Sequence, residues 1–340
     1  MKTFNQILLF FVIFSLQTIL TQTHPQLQAQ AATVDVKIGI IAPDGTSWSD
    51  TLKSMAKEIK STTNGEVNFR IYGGASQVDE LQILRKIRSN QMHGGVFTGK
   101  TLGEINGDVR IMEVPFTFYD DRKKAFATME KLTPVFNDGF AKNKFKNLGF
   151  YEIGLVYLVS TRKFENFETL KGVKIWVWEG DKLSEALISS MSLTATPLAL
   201  QDVLTSLSTG ILQATYASPM AIIAMQWQTK VKYLIDFPVT YSIGAFLISE
   251  DTWKKIPDKY KKVIEEIAQK HIKTANELIV KENLEALESM KKTSGLTFIK
   301  FPQSDIDKGK KIRLDVIAKL QDKLFSKKIV EIFNKEAGIK

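Results

Sequence analysis

The stretch Leu170 to Asp181, LKGVKIWVWEGD, contains the clearest strand signal in the chain. Its alternating residues are Val173, Ile175 and Val177 on one side and Lys174, Trp176 and Trp178 on the other. This period of two predicts a β-strand. The acid-Gly-acid triplet at 179–181 ends the strand, and a helical pattern starts at once. In open α/β folds, ligands bind beyond the carboxyl ends of such strands.

The two tryptophans of this strand allow two interpretations. Large aromatic side chains are usually buried, so Trp176 and Trp178 can both belong to a core. Alternatively, they can line a ligand site, because the end of the strand points towards the crevice where α/β folds bind ligands. The residues alone leave both interpretations open.

The chain on either side of this strand alternates between strand-like and helical patterns, which predicts an α/β fold. Further strands are predicted at 36–41, 67–71, 94–98, 148–160 and 195–198, and helices at 52–59, 78–87, 121–140, 182–191, 201–207 and 220–228. Segments 232–237 and 239–248 look extended. A long amphipathic helix is expected from 251 to about 289, and more helix from 302 to 340. The predicted buried stripe of the long helix is Tyr260, Val263, Ile264, Ile267, Ile272, Ala275, Leu278 and Ile279.

The first 31 residues have the pattern of an export signal. Lys2 precedes a wholly apolar run at 7–14, which is shorter than the roughly 20 residues of a membrane-spanning helix. Ala29-Gln30-Ala31 has the small-x-small spacing of a cleavage site. We therefore predict a cleaved signal peptide, residues 1–31, and a periplasmic protein; an uncleaved anchor is the alternative.

Composition narrows the class of protein. With 44% hydrophobic and 24% charged residues, the chain is typical of globular proteins, and about 310 residues after cleavage suffice for two lobes. The net charge is +9, but the lysines are scattered among acids on helical faces, so we expect a solvated surface and no nucleic-acid partner. No cysteine is present, which excludes disulfides, thiol catalysis and a lipid-modified N-terminal cysteine.

Catalytic motifs are missing from the sequence. The three histidines, His24, His93 and His271, lack metal-ligand spacing. No nucleophile elbow, phosphate loop or dinucleotide fingerprint occurs. Carboxylate pairs such as 79–80 and 265–266 are common on helix surfaces. We expect a binding protein without a metal or cofactor; a secreted enzyme is the alternative from another class.

Six motifs then occur in the order found in one known family. They are A-P-D-G-T-S-W at 42–48, T-T-N-G at 62–65, G-G-x-x-x-x-x-E at 73–80, P-F-T-F at 115–118, L-K-G-V-K-I at 170–175 and G-I-L-Q-A-T-Y-A-S-P at 210–219. Over residues 35 to 320 the chain resembles the solute receptors of TRAP transporters, the DctP-type family.

The resemblance implies a type II-like periplasmic binding fold with an inter-lobe cleft and a long bracing helix. On that basis we expect lobe I at 33–153 plus about 241–285, and lobe II at 154–240 plus about 286–340. It also implies a monomer that captures a small molecule by lobe closure and delivers it to the membrane permease subunits of a sodium-coupled TRAP system.

This chain departs from the family at the positions that hold a ligand carboxylate. The family carries an arginine after the K-I of L-K-G-x-K-I, and here that residue is Trp176. A second arginine is common in an E-x-G-x-R pattern, which here ends in Val156, and the usual aspartate-glycine is replaced by Gln213-Ala214. Neither an indole nor a branched alkyl group can form the paired hydrogen bonds of a guanidinium with a carboxylate.

We therefore expect a small, neutral ligand that is aromatic or apolar. A carboxylate held without the usual arginine is the alternative. The predicted ligand-binding residues are Trp48, Phe97, Phe116, Tyr119, Val156, Trp176, Trp178, Tyr216, Ser218 and Phe246.

Overall fold

The computed structural model describes residues 33–42, 44–73, 79–119, 121–293 and 295–339. The predicted signal peptide lies outside these residues. Among the helices of the described residues, none is both long and apolar enough to span a bilayer.

Strands and helices alternate through the described part of the chain, which confirms the predicted α/β class. The strands are β1 (Val34–Ile40), β2 (Val67–Gly73), β3 (Gly94–Thr98), β4 (Phe145–Ser160), β5 (Lys174–Val177), β6 (Thr194–Pro197), β7 (Ala214–Ala217), β8 (Tyr233–Ile235), β9 (Thr240–Ser249) and β10 (Thr297–Ile299). The helices are α1 (Ser47–Thr62), α2 (Glu80–Arg88), α3 (Gly99–Ile105), α4 (Arg122–Lys142), α5 (Phe167–Leu170), α6 (Lys182–Ser190), α7 (Val203–Thr209), α8 (Pro219–Ala224), α9 (Glu250–Lys255), α10 (Asp258–Thr293), α11 (Gln303–Leu320) and α12 (Lys327–Ala337). Short 3-10 helices lie at Gly107–Glu113, Leu200–Asp202 and Trp227–Thr229.

One long strand, β4, belongs to two sheets. Its residues Phe145 to Val156 pair antiparallel with β9, in the first sheet, whose order is β2-β1-β3-β9-β4. Residues Tyr157 to Ser160 pair with β7, in the second sheet, ordered β4-β7-β5-β6. Strands β8 and β10 extend the second sheet beside the end of β4. The continuous backbone of β4 therefore connects the two sheets directly.

The alternation predicted for β5 is present, and both of its faces are buried. Val173, Ile175 and Val177 pack in one apolar cluster with Leu170. Trp176 points to the other face of the second sheet, where it packs in a separate cluster. Strand β5 lies between β6 and β7 and is parallel to both, and central parallel strands are usually covered on both sides.

The long helix predicted at 251–289 is two helices, α9 and α10. Pro257 separates them, because the residue before a proline is driven to an extended conformation, and Ile256 has φ −70° and ψ 128°. Most of the predicted stripe is buried or half-buried, as expected. Leu278 is the exception: it is 38% exposed, so its assignment to the stripe was wrong.

Other boundaries also differ from the sequence predictions. The C-terminal helical region is divided into α11 and α12, and the predicted helix at 201–207 is a 3-10 turn followed by α7. Helix α3 and the 3-10 helix Gly107–Glu113 were not predicted at all. Both are important, because they carry charged residues of the site described below.

Helix α10 braces the irregular part of β4 with two asparagines. The pairing of β4 with β9 shifts register at two places, Asn147/Gly149 and Glu152/Gly154, which leaves backbone groups without strand partners. Asn276 accepts a hydrogen bond from the Glu152 N–H at 2.8 Å. Asn283 donates to the carbonyl of Ile153 at 3.0 Å and accepts from the N–H of Met220 at 3.1 Å.

Asn283→Ala should lower the free energy of unfolding by about 1–3 kcal/mol, because it leaves the Ile153 carbonyl and the Met220 N–H without partners. Urea denaturation followed by circular dichroism measures this. The control is Glu277→Ala on the same helix, whose side chain is exposed and should shift stability by no more than about 0.5 kcal/mol. Equal effects of the two variants would contradict the bracing role.

Candidate ligand-binding site

A cavity of about 230 Å³ lies between the two sheets, and most of its wall is apolar. Its apolar wall includes Leu158, Ile175, Ile188, Met191 and Leu193, which belong to one core cluster of the second sheet. Further thioether side chains come from Met220 and Met225, around α8. We call the contiguous charged and hydroxylated side the polar wall; it consists of Lys100, Arg110, Glu113, Asp181 and Ser184.

Six of the ten predicted binding residues line this cavity. They are Trp48, Val156, Trp176, Trp178, Tyr216 and Ser218. Trp176 in β5 is buried, and Trp178 in the turn that follows is half-buried. Both also line the cavity, so the core interpretation and the cavity interpretation of these two residues hold together. The two positions where the family carries arginine, 156 and 176, are both in the wall.

Trp176 is the centre of an aromatic cluster. It is 2% exposed, and its ring centroid lies 5.0 Å from that of Trp178, 5.4 Å from Tyr216 and 5.7 Å from Trp227. Its indole N–H donates to the carbonyl of Leu198 at 2.9 Å. The hydrogen bond and the ring contacts fix the orientation of the indole, so one flat face of a rigid cluster borders the cavity.

Phe97 and Phe246 do not line the cavity, contrary to the expectation from sequence. Phe97 is the last residue but one of β3 and Phe246 lies inside β9, and strand alternation sends them to opposite faces of the first sheet, under its helices. Phe246 packs edge to face on Phe69 at 6.2 Å. The face of the strand on which each ring lies therefore buries it below helices and not at the cavity.

Phe116 and Tyr119 also lie elsewhere. The ring of Phe116 is 6.1 Å from those of Phe167 and Phe237, and Gly309 of α11 packs so closely that a Cβ there would lie 2.8 Å from the ring. Tyr119 packs on Phe237 at 4.7 Å. Phe116 therefore anchors α11 to the second sheet, and Pro115 is the residue of the P-F-T-F turn that lines the cavity.

The polar wall contains a buried ion network that was missed from the sequence. Arg110 Nε lies 3.0 Å from Glu113 Oε2, and Arg110 Nη2 lies 3.0 Å from Asp181 Oδ1. The three side chains are between 6% and 8% exposed. Arg110 and Glu113 come from the 3-10 helix beside the first sheet, whereas Asp181 follows β5 of the second. The network thus joins elements from both sides of the cavity.

Both carboxylates of this network have further partners. Glu113 Oε1 accepts from the Ser242 hydroxyl at 2.7 Å and from the Ile243 N–H at 3.1 Å. Asp181 Oδ2 accepts from the Ser184 hydroxyl at 2.6 Å, which in turn accepts from the Tyr216 hydroxyl at 2.8 Å. The Arg110–Glu113 spacing of three, just before P-F-T-F, and the E-G-D triplet were the available sequence signals.

Burial and charge act in opposite directions on these groups. Burial favours neutral Arg110, but the Asp181 and Glu113 carboxylates outweigh it and raise the pKa of the guanidinium. Burial also raises the pKa of Glu113, although Arg110 opposes that shift. Arg110 therefore remains positively charged, and it forms ion pairs with two protein carboxylates.

A third carboxylate that lines the cavity, Glu152, is also paired. Its Oε2 lies 2.6 Å from Arg122 Nη2, with Glu152 3% and Arg122 42% exposed. Glu152 is the acid of the E-x-G-x-R pattern. Arg122 is directed to Glu152 and does not line the cavity, so it does not replace the arginine missing from the end of that pattern.

Lys100, at the β3–α3 corner, differs from these residues. It lines the cavity and is 9% exposed. In the described chain its ammonium has neither an ion pair nor a hydrogen-bond partner. No sequence motif singled it out. Among the described residues no group of histidine and carboxylate side chains has the arrangement of a metal site.

The β3–α3 corner is held from behind by Glu80, the first residue of α2. Its carboxylate accepts from the Thr98 N–H and the Thr98 hydroxyl, both at 2.9 Å. Glu80 is 3% exposed, and burial raises its pKa to about 7. The corner formed by Thr98, Gly99 and Lys100 is therefore held by hydrogen bonds to a carboxyl group whose pKa is raised to about 7.

Glu80 should make stability depend on pH. Its folded-state pKa of about 7 exceeds the ordinary 4.5, so its contribution is complete below pH 4.5 and is lost as the pH rises through 7. Between pH 8 and 5.5 the wild type should gain about 2 kcal/mol of unfolding free energy that Glu80→Gln does not gain. Chemical denaturation at both pH values measures this, with the exposed Glu104→Gln as a control expected to follow the wild type. Parallel pH profiles of wild type and Glu80→Gln would refute the assignment.

Comparison with known proteins agrees with this architecture. Residues 38–324 match the family model "Bacterial extracellular solute-binding protein, family 7", DctP. The sialic acid-binding periplasmic protein SiaP of Vibrio cholerae is 22% identical over 298 residues, covering 87% of this chain and 89% of SiaP. An uncharacterized protein of Haemophilus influenzae is 24% identical over 236 residues, 69% of this chain and 71% of that protein.

Two solved structures share the fold. A TRAP periplasmic solute-binding protein of Desulfovibrio salexigens, solved with orotic acid, has a TM-score of 0.81 at 20% identity, covering 90% of this chain and 99% of that one. One from Haemophilus influenzae RdAW, solved with L-gulonate, has a TM-score of 0.80 at 23% identity, covering 89% and 99%. These likenesses confirm the two-lobe fold.

The family model covers far more than half of the chain, so the family resemblance seen in the motifs is confirmed. Proteins of this family are periplasmic, bind small molecules and pass them to membrane permease components. The chain belongs to the bacterial extracellular solute-binding proteins of family 7, the DctP-type receptors of TRAP transport systems, and is a binding protein, not an enzyme.

Proposed function

We propose that this receptor captures a small, predominantly apolar or aromatic ligand between its lobes and delivers it to a TRAP-type permease. The observation that carries the proposal is the position of Val156 and Trp176. Both line the cavity at the two places where the family carries arginine, and Trp176 is locked into an aromatic cluster.

The apolar wall supplies the binding free energy in this proposal. Burial of apolar surface contributes about 25 cal/mol per Å², and flat aromatic faces add ring contacts of about 0.5–1.5 kcal/mol each. The three methionines of the wall, Met191, Met220 and Met225, have flexible thioether side chains that adapt to irregular ligand shapes. Such a wall favours hydrocarbon over a polyhydroxylated acid, whose hydroxyls would lose water without gaining partners.

Lobe closure is the capture step that we infer. The Arg110–Asp181 ion pair joins the first-sheet side of the cavity to the second-sheet side, so opening the cleft would separate two buried charges. The predicted lobe boundaries, with lobe I at 33–153 plus about 241–285, put the two residues in different lobes. The predicted cleavage after Ala31 and a monomeric state complete the proposal.

A second candidate is a receptor for a small polar carboxylate. The relatives of known ligand favour it, because the two solved structures contain orotic acid and L-gulonate, and SiaP is named for sialic acid. In this chain, however, Arg110 and Arg122 are both engaged by protein carboxylates. A polar acid would have to be held without a free guanidinium.

Trp176→Arg should weaken binding of apolar ligands about tenfold or more, because it puts an unpaired cation into an apolar site. Calorimetry of the purified mature protein with apolar ligands and with succinate measures the change. Tyr72→Arg serves as the matched control, because Tyr72 is 46% exposed and outside the cavity, and it should bind like the wild type. Tight binding of succinate by the wild type, with no apolar ligand bound, would refute the proposal in favour of the second candidate.

Asp181→Asn should loosen the closed arrangement, because the substitution removes a charge from the bond between the two sides. Small-angle scattering of the ligand-free variant should show a larger radius of gyration than the wild type. Asp315→Asn, which alters a half-exposed carboxylate bound to Ser190 and Lys319, is the control and should scatter like the wild type. Identical curves for all three proteins would argue against a closure role for Asp181.

A further inference from the structure

Lys100 is the unpaired charge of the cavity wall. Five charged residues line the cavity within the described chain: Lys100, Arg110, Glu113, Glu152 and Asp181. The last four are all engaged in ion pairs shorter than about 3.2 Å with one another or with Arg122. Lys100 is nine-tenths buried, and its ammonium has no partner among the residues that the structure describes.

The other polar atoms of the wall point to the same kind of ligand. Four buried atoms of cavity-lining residues have no hydrogen-bond partner in the described structure: Trp48 Nε1, Arg110 Nε, Trp227 Nε1 and Ser218 Oγ. All four can donate a hydrogen bond. In contrast, every carboxylate of the wall already accepts from a protein donor. The wall thus offers unpartnered hydrogen-bond donors, whereas its carboxylates are all engaged. A ligand that fits these donors must therefore carry a hydrogen-bond acceptor.

An ammonium group on a largely buried side chain without an acceptor loses part of its hydration without compensation. A ligand anion relieves this penalty and forms a charge-assisted hydrogen bond. Lysine differs from arginine in that it acts as a point charge and imposes no two-pronged geometry. One oxygen of a single acidic group is therefore sufficient to pair with the lysine ammonium.

The rest of the cavity limits where further charges could lie. Arg110 is already paired with Glu113 and Asp181, so a second ligand carboxylate would face a cation whose charge two protein carboxylates already balance. The volume of about 230 Å³ is below the range of about 300–1,000 Å³ usual for drug-sized ligands, which excludes a two-chain lipid. A neutral body therefore fits against the apolar wall and Trp176.

We infer that the ligand is a small amphiphilic monoacid, whose carboxylate binds Lys100 and whose aliphatic or aromatic body lies against Trp176 and the apolar wall. This inference rests on the proposed function and narrows its ligand to one acidic head on an apolar body. Lys100 is then the residue that selects acids over neutral compounds of the same shape.

The experiment compares acids with alcohols of the same skeleton. Octanoic acid is paired with 1-octanol, and 3-phenylpropanoic acid with 3-phenylpropan-1-ol; each is titrated at pH 7 into mature protein that has been unfolded and refolded to remove bound ligand. The wild type should bind at least one acid about tenfold or more tightly than its alcohol. Lys100→Met should lower the affinity for that acid by about tenfold to a hundredfold and leave that for the alcohol within about threefold.

Two further variants separate recognition from folding. Lys100→Arg retains the charge and should retain the preference for the acid, whereas Lys131→Met, on the exposed side of α4, should bind like the wild type. Equal affinity for acid and alcohol in the wild type, or an acid preference that survives Lys100→Met, would overturn the role of Lys100 but leave the apolar receptor intact. Failure of all four compounds to bind would overturn this inference and count against the apolar ligand itself, and tight binding of succinate in their place would establish the polar-carboxylate receptor.

Discussion

The guanidinium of Arg110, buried between Glu113 and Asp181, is the interaction on which the site depends. Removing three charged groups from water is expensive, and only mutual pairing with well-placed hydrogen bonds offsets it. Ser184, Tyr216 and Ser242 supply those bonds. Because the carboxylates come from elements beside different sheets, this compensation is available only when the two sides of the cavity are together. The same pairing balances the charge of Arg110, the arginine that lines the cavity among the described residues, with two protein carboxylates.

The sequence predicted the fold well where a repeating pattern coincided with burial. The alternation in LKGVKIWVWEGD defined β5 and both of its buried faces, and the order of motifs identified the family. It also predicted Val156 and Trp176 in the wall, because strand-end positions in a known fold are fixed by topology. Boundaries were less accurate where one residue decides them, as Pro257 does between α9 and α10.

The part of the site that could not be predicted is electrostatic. Whether a charged residue such as Arg110 or Lys100 is paired depends on residues distant in sequence, and α3 and the 3-10 helix that carry them lack a strong periodic pattern. Aromatic residues posed the opposite problem: Phe97 and Phe246 are residue types that often contact ligands, but the strand faces on which they lie bury them under helices. Hydrophobicity alone does not distinguish a core from the lining of a cavity.

The three methionines of the cavity wall give this receptor a chemical weakness. Oxidants convert a thioether into a sulfoxide, which is polar and carries a strong S=O dipole. Such a group at Met191, Met220 or Met225 would put a polar S=O into the apolar part of the cavity wall. An exported protein without cysteine has no thiol of its own to react in their place. The apolar character of the cavity wall would therefore fall under oxidative stress and return once the sulfoxides are reduced.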